Sequence, residues 1–416
     1  MIDKTTGKDK KPPRRKSTFR QKLYLVLFGL LFGLLLCEIF LRIIGYSYPI
    51  FYATDYYRGF ALRPGIEGHY QREGGSYVRI NSDGQRDREH PKTKPPDTVR
   101  IAVLGDSFAE AMHVPVEQTF WSLLARKLEE CNAFAGTHVE VLNFGVSGYG
   151  TAQELMTLRQ KVWDFSPDIV VLAFTTYNDI YDNSRALSKT PDVPYFTYHN
   201  GELVYDASFR DSPPYQWHDS KLSRLGRWFH DHLRLVQLIH YAQFVGKLRL
   251  TEWRDQRHPE SQPLRTNAPG SAPTADEIGI DNMIYVEPQD DNWKEAWRVT
   301  EGLLRQMSDE VRQRGARFVV VSLSNAIQVY PDPVVRQNFM KRIGTSTVFY
   351  PNLRLKDFAQ RQQIDFLDLA EPMQVYADQN KVFLHGFGKD LGNGHWNPAG
   401  HRLAADLIGQ RLCQPK

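Results

Sequence analysis

Cysteine is scarce: Cys37, Cys131 and Cys413 are the only three in 416 residues. That is too few for a disulfide scaffold, and the absence of any C-x-x-C pair leaves no zinc or redox signature. No metal or cofactor is therefore expected. A strong excess of one charge is also lacking. The formal net charge is +4, but nine Lys/Arg against Asp3 and Asp9 put +7 into residues 1–22, so the remainder carries −3. A mildly acidic body argues against a nucleic-acid partner. What is present, 41% hydrophobic and 24% charged residues, is ordinary globular composition with room for a large core.

One long apolar run stands out. Leu23 to Ile44 reads LYLVLFGLLFGLLLCEIFLRII, which as a helix extends about 33 Å, enough to cross a bilayer. Glu38 and Arg42 lie one turn apart near its end, where they can pair or reach the interface. A cleaved signal peptide is the competing reading, but the run is long and no small-x-small cleavage site follows it. Leu34, Leu35 and Leu36 before Cys37 likewise disfavour a lipoprotein signal. Basic residues such as Arg14, Arg15, Lys16, Arg20 and Lys22 precede the run, and Tyr46, Tyr48, Phe51 and Tyr52 follow it. This asymmetry predicts a cytoplasmic N-terminus and a translocated, periplasmic or cell-surface body. Gly29 and Gly33 form a G-x-x-x-G pair that would let two anchors pack as a dimer.

The expected organisation is a basic tail (1–22), a transmembrane anchor (23–44), an extended lead-in (45–98) and a catalytic-type domain (99–416). The lead-in contains the turn signal Asn81-Ser-Asp-Gly84, which predicts a hairpin, and no chemistry is evident in it. Beyond Pro96, β-branched runs alternate with helical stretches, the pattern of βαβ units. Strands are predicted at Val99–Leu104, Val139–Asn143, Ile169–Phe174, Phe318–Ser322 and Ile364–Leu367. Helices are predicted at Thr119–Glu130, Thr151–Val162, Trp293–Arg314, Leu353–Gln362 and Pro398–Leu412. The fold class that follows is α/β, a three-layer α/β/α sandwich around a five-stranded parallel sheet, with ligands beyond the carboxyl ends of the strands. Residues 184–290 interrupt this rhythm with an amphipathic helix near Leu222–Tyr241 and a Pro/Ser/Thr-rich stretch at Pro259–Pro273. An insertion of that length reads as a lid over the site or as a loose excursion.

The first strand runs into Gly105-Asp106-Ser107, placing a serine hydroxyl on a sharp turn near backbone donors. By itself such a serine is more often a helix cap. The second strand ends Asn143-Phe-Gly145-Val-Ser-Gly148, and the third ends Tyr177-Asn178-Asp179. A glycine N–H and an asparagine amide at the same sheet edge are the donors an oxyanion hole needs, although singly they read as turn residues. Near the C-terminus, Gly394-His395-Trp396-Asn397-Pro398-Ala399-Gly400-His401 brings imidazoles suited to general-base work.

In this order, these motifs resemble the four blocks of the SGNH (GDSL-like) hydrolases, over roughly Val99 to Leu412 without the insertion. The resemblance implies a flavodoxin-like SGNH hydrolase fold. It makes Ser107 the nucleophile, His395 the base, with His401 as the alternative, and Gly148 and Asn178 oxyanion donors alongside the Ser107 N–H. Gly145 would shape the turn. The family's aspartate shortly before the histidine is missing, since Gly392 and Asn393 stand there. Asp390 or Asp368 could orient the imidazole, or a backbone carbonyl could leave a Ser-His dyad. Tyr177 replaces the usual glycine before Asn178 and would narrow the pocket or contact substrate. The α/β-hydrolase alternative needs a G-x-S-x-G that is absent, since Ala109 occupies the last position. In this kind of fold the first and last helices of the sheet domain pack side by side, so Cys131 and Cys413 at their ends could form a disulfide in an oxidising compartment. The expected activity is a serine esterase or O-acyltransferase working on O-acyl, mainly O-acetyl, esters of envelope polysaccharide. A catalytically silent relative that binds polysaccharide or an assembly partner is the alternative.

Overall fold

The computed structural model describes residues 18–134, 136–257 and 280–414. Most of the basic tail and the Pro259–Pro273 stretch lie outside the described residues. Strands β1 (Thr98–Gly105), β2 (His138–Asn143), β3 (Ile169–Phe174), β4 (Arg317–Ser322) and β5 (Asp365–Asp368) form one parallel sheet in the order β5-β4-β3-β1-β2. Each strand end falls within one residue of its predicted position. The central strands are buried on both faces, so their sequences are continuous apolar runs. Side chains nonetheless alternate: Val170, Leu172 and Phe174 enter one core, while Val171 and Ala173 enter the other.

Helices Thr151–Gln160, Asp291–Gln313 and Tyr350–Arg361 cover the first face, and Phe120–Glu130, Ala370–Asn380 and Pro398–Cys413 cover the second. Two of the longer helices of the sheet domain were not expected from the sequence, Pro333–Ile343 and Ala370–Asn380. The end of helix Phe120–Glu130 and the last residue of helix Pro398–Cys413 are joined by the Cys131–Cys413 disulfide, with Cα atoms 6.2 Å apart. The chain passes from β1 outward to β2 and then returns to the other side of β1 as β3. The crevice between the carboxyl ends of β1 and β3 is thus the topological switch point where ligands bind in open α/β sheets.

The lead-in holds two hairpins where one was expected, Tyr52–Asp55 with Gly59–Leu62 and Glu67–Tyr70 with Ser76–Arg79. Asn81–Gly84 does turn, with the Asn81 side-chain oxygen accepting from the Asp83 and Gln85 N–H groups. It follows the second hairpin instead of closing one. Phe51, Leu62, Val78 and Ile80 pack with Met112, Val146 and Tyr149 in a third apolar cluster. That cluster pins the lead-in onto the loops after β1 and β2, so a segment outside the sheet domain reaches the switch point.

The insertion contributes a hairpin (Tyr195–His199 with Glu202–Asp206), a short helix Pro213–Asp219 and two longer helices, Lys221–His232 and Arg234–Arg257. The single helix expected over Leu222–Tyr241 is broken at Leu233. The cause is tertiary: Glu38 accepts the Arg234 and Leu235 N–H groups at 3.0 and 2.9 Å, and the Arg42 guanidinium donates to the His232 carbonyl at 2.5 Å. Glu38 and Arg42 also pair with each other at 2.8 Å. They belong to helix Phe19–Ile43, which is long and apolar enough to cross a membrane and has none of its apolar window buried in the protein.

Candidate active site

Ser107 opens a short helix immediately after β1. Asp106 caps it, accepting the Phe108 N–H at 2.9 Å through one oxygen and the Asn178 amide at 2.6 Å through the other. One carboxylate therefore ties the loop after β3 to the turn that presents the serine. Gly145 makes the tight approach of the loop after β2 feasible: a Cβ there would lie 2.4 Å from the Ala109 Cβ and 2.7 Å from the Glu110 nitrogen. Gly148 has φ +79, a conformation glycine adopts without cost. Its neighbour Ser147 donates its N–H to the buried Glu110 carboxyl, which also accepts the Tyr52 hydroxyl at 2.9 Å. Burial lifts the Glu110 pKa to about 7.

His395 Nε2 lies 2.7 Å from Ser107 Oγ. Its Nδ1 lies 2.5 Å from a carboxylate oxygen of Glu73, whose other oxygen accepts the His395 backbone N–H at 2.8 Å. A carboxylate only accepts, so Nδ1 carries the proton and the Nε2 lone pair is left for the serine O–H. This is the relay geometry of a nucleophilic serine, with base and orienting acid in line. Burial pulls the His395 pKa down, but the Glu73 carboxylate outweighs it and holds the imidazole above its ordinary value. Reciprocally, burial raises Glu73, and its bonds to His395 bring the net result below the usual carboxylate range.

The carboxylate on His395 Nδ1 thus comes from the lead-in, where no chemistry was evident, in place of the expected Asp390 or Asp368. Asp368 accepts from the Ser322 hydroxyl at 2.6 Å and the Asn352 amide at 2.7 Å, and it meets the Ala370 and Glu371 N–H groups at the start of helix Ala370–Asn380. Asp390 is exposed on a short 3-10 turn. Glycines make room for Glu73. A Cβ at Gly394 would lie 2.4 Å from its Oε1, and one at Gly74 would lie 2.4 Å from the His113 carbonyl oxygen. The Gly75 N–H donates to that same carbonyl at 3.1 Å. The Glu73-Gly74-Gly75 run was the available sequence signal, an acid followed by two residues free to turn. Nothing in it named a partner 322 positions away.

The loop carrying His395 is braced from behind. His385 Nδ1 donates to the Gly394 carbonyl at 2.6 Å, its Nε2 meets the Ser324 hydroxyl at 3.0 Å, and Trp396 Nε1 donates to that hydroxyl at 2.9 Å. Burial depresses the His385 pKa to about 4, keeping the ring neutral as this pattern requires. His401 does not face Ser107. Fully buried, it accepts the Phe120 N–H on Nδ1 at 3.3 Å and meets His113 through Nε2 at 3.1 Å. Burial takes its pKa to about 3, so it is a neutral strut. His113, unremarked in the sequence, stacks between the two motif histidines, with ring centroids 5.0 Å from His395 and 5.2 Å from His401.

Tyr177 also departs from expectation. Its ring is buried in the core and stacked on Tyr181 at 5.0 Å, a packing position. Beside the site, a cleft of about 400 Å³ is lined by Tyr48–Tyr52, Phe60, Tyr70, Arg72, Ser147 and His240. It joins the lead-in, the loop carrying Gly148 and the second of the longer insertion helices.

No curated protein matches the chain. Among solved structures it is similar to the acetyl xylan esterase AlAXEase (13% identity, 75% of this chain and 99% of that one, TM-score 0.37). It is also similar to a catalytic mutant of Axe2, an acetylxylan esterase from Geobacillus stearothermophilus (11% identity, 76% and 95%, TM-score 0.37). A third is a putative acylhydrolase from Bacteroides fragilis (14% identity, 75% and 86%, TM-score 0.31). The GDSL-like lipase/acylhydrolase family matches residues 103–403, a span that runs from β1 through the His395 loop, and the chain accordingly belongs to that family of SGNH serine hydrolases.

Proposed function

We propose that the protein is a membrane-anchored serine esterase or O-acyltransferase whose reacting groups are Ser107, His395 and Glu73. The observation that carries the reading is the imidazole bridging the Ser107 hydroxyl and the Glu73 carboxylate. Ser107 attacks an ester carbonyl while His395 Nε2 takes its proton. The oxyanion is received by the Ser107 and Gly148 N–H groups and the Asn178 amide, the donor set that acyl transfer requires. His395 returns the proton to the leaving alcohol, and an acyl-enzyme remains. Water or an incoming sugar hydroxyl, deprotonated by the same imidazole, then takes the acyl group. The substrate class is an O-acetyl ester of carbohydrate or envelope polysaccharide, in keeping with a tyrosine-lined cleft and with a body carried outside the cytoplasm. The charge asymmetry around helix Phe19–Ile43 and the Cys131–Cys413 disulfide support that location.

The rival reading, a silent relative that binds polysaccharide or an assembly partner, drew its force from a missing triad acid. Glu73 removes that reason. The test is fluorophosphonate labelling together with p-nitrophenyl acetate hydrolysis by the full chain in detergent. Labelling at Ser107 and p-nitrophenol release, both lost in Ser107→Ala, are expected. An unlabelled protein under conditions that label a related esterase would leave the binding role.

A further inference from the structure

Helix Lys221–His232 is amphipathic in the wrong sense for a water-exposed surface. Leu222, Leu225 and Phe229 recur at i, i+3 and i+7 with Trp228 beside them, forming one stripe. These four are between 44% and 63% exposed. The polar side of the helix faces the protein instead: Asp231 pairs with Arg63, His230 is 4% exposed, and Ser223 and Arg227 line a cavity against the first hairpin. Trp217, in the short helix just before, is likewise exposed. An outward apolar face of this extent marks an interaction surface.

Its position says what covers it. The corner between the two longer insertion helices is fastened to the last turns of helix Phe19–Ile43 by the Glu38 and Arg42 bonds, and the Tyr48 N–H, just past that helix, donates to Gln237 at 2.8 Å. Gln237 in turn donates to the His230 carbonyl at 2.9 Å. The stripe thus starts within one turn of where the apolar helix would leave the bilayer. Tryptophan, phenylalanine and leucine on one face, flanked by Lys221 and Arg224, are the composition of a helix lying in the headgroup boundary.

We propose that Lys221–His232 is an interfacial helix that seats the body on the outer membrane surface, with Leu222, Leu225, Trp228 and Phe229 in lipid. This rests on helix Phe19–Ile43 being a retained span, and it is independent of the catalytic reading. Two points of attachment, a span and an in-plane helix joined at one corner, fix the body's height and tilt where a span alone would leave it swinging. The Tyr48–Tyr52 and His240 walls of the cleft beside the active site are then held close to the bilayer.

The test uses the full chain in a Cys37→Ser background, reconstituted in phosphatidylethanolamine–phosphatidylglycerol vesicles. Single cysteines at Leu225, Phe229, Leu30 and Val375 each carry an environment-sensitive fluorophore, and Val375 is similarly exposed on helix Ala370–Asn380. Nitroxide-bearing lipids should quench the labels at positions 225 and 229 at least about twofold more than the label at 375, with shallow nitroxides more effective than deep ones. Quenching at 30 together with quenching at 225 and 229 no greater than at 375 would overturn the interfacial helix while keeping the span. Label-to-label self-quenching at 229 between copies, without lipid quenching, would assign the face to a second chain and overturn it as well. Absence of quenching at 30 would remove the span and this inference together, leaving p-nitrophenyl acetate hydrolysis as the separate measure of the catalytic reading.

Discussion

The sheet edge and the lead-in build the same site by opposite routes. At the edge, Ser107, Gly148, Asn178 and His395 each stand in a recognisable motif directly after a strand or before a helix, so local sequence places them. In the lead-in, Glu73 stands in no motif. It arrives because a cluster of Phe51, Leu62, Val78 and Ile80 docks two small hairpins onto the loops after β1 and β2. The comparison teaches that identity and position are encoded separately here. The reactive groups are written next to regular structure, whereas the group that orients them depends on tertiary packing that no short window contains.

Breaking the edge should cost most. Ser107→Ala is expected to lower kcat for p-nitrophenyl acetate on the order of 10⁴-fold or more, since removing a nucleophile leaves only binding and the oxyanion donors. Burst kinetics should vanish with it. Asn178→Ala should cost about 10²- to 10³-fold in kcat with little change in KM, because the amide is asked to act only as charge develops. Steady-state kinetics distinguish this from a loss of fold, which circular dichroism would report.

Breaking the junction between the two regions sharpens the contrast. Gly394→Ala puts a methyl into the Glu73 carboxylate at a φ of +71, so the ion pair must open. A loss of about 10-fold or more in kcat/KM is expected, by misorientation of the imidazole. The apolar cluster keeps the lead-in docked in that variant, so the alanine's strain at positive φ should lower the melting temperature by only about a few degrees. The smallest catalytic effect belongs to the disulfide. Cys131→Ser with Cys413→Ser should leave kcat within about twofold while lowering stability by about 2–4 kcal/mol, read as an earlier midpoint in urea unfolding.

The fold was legible because its strands are buried on both faces, which gives unbroken runs such as Ile169–Phe174, short, rich in β-branched residues and flanked by turn residues. Helix Pro333–Ile343 went unseen although its punctuation was present. Asp332 caps it, Pro333 opens it and Gly344 closes it in the left-handed conformation, but its apolar positions carry a weak period. The break at Leu233 was not legible at all, since Glu38 and Arg42 impose it from nearly 200 residues away. Asp390 and Asp368 were attractive for proximity in sequence to His395 and to a strand end. Proximity along the chain is a poor guide when one carboxylate caps a helix and the other faces solvent. Tyr177, read from its place beside Asn178, turns into the core, which no short window of sequence shows.

The most direct test of the account is the pH dependence of kcat/KM for Glu73→Gln beside Asp390→Asn. In the parent, the base must be neutral, and Glu73 holds the His395 pKa above the ordinary imidazole value of 6.5. Activity should therefore fall as pH drops through that raised pKa. Without the carboxylate charge, burial dominates and the acidic limb should move to lower pH, with the plateau reduced about 10²- to 10⁴-fold. Asp390→Asn should trace the parent's curve. An unshifted, undiminished profile for Glu73→Gln, with activity lost in Asp390→Asn, would contradict the assignment.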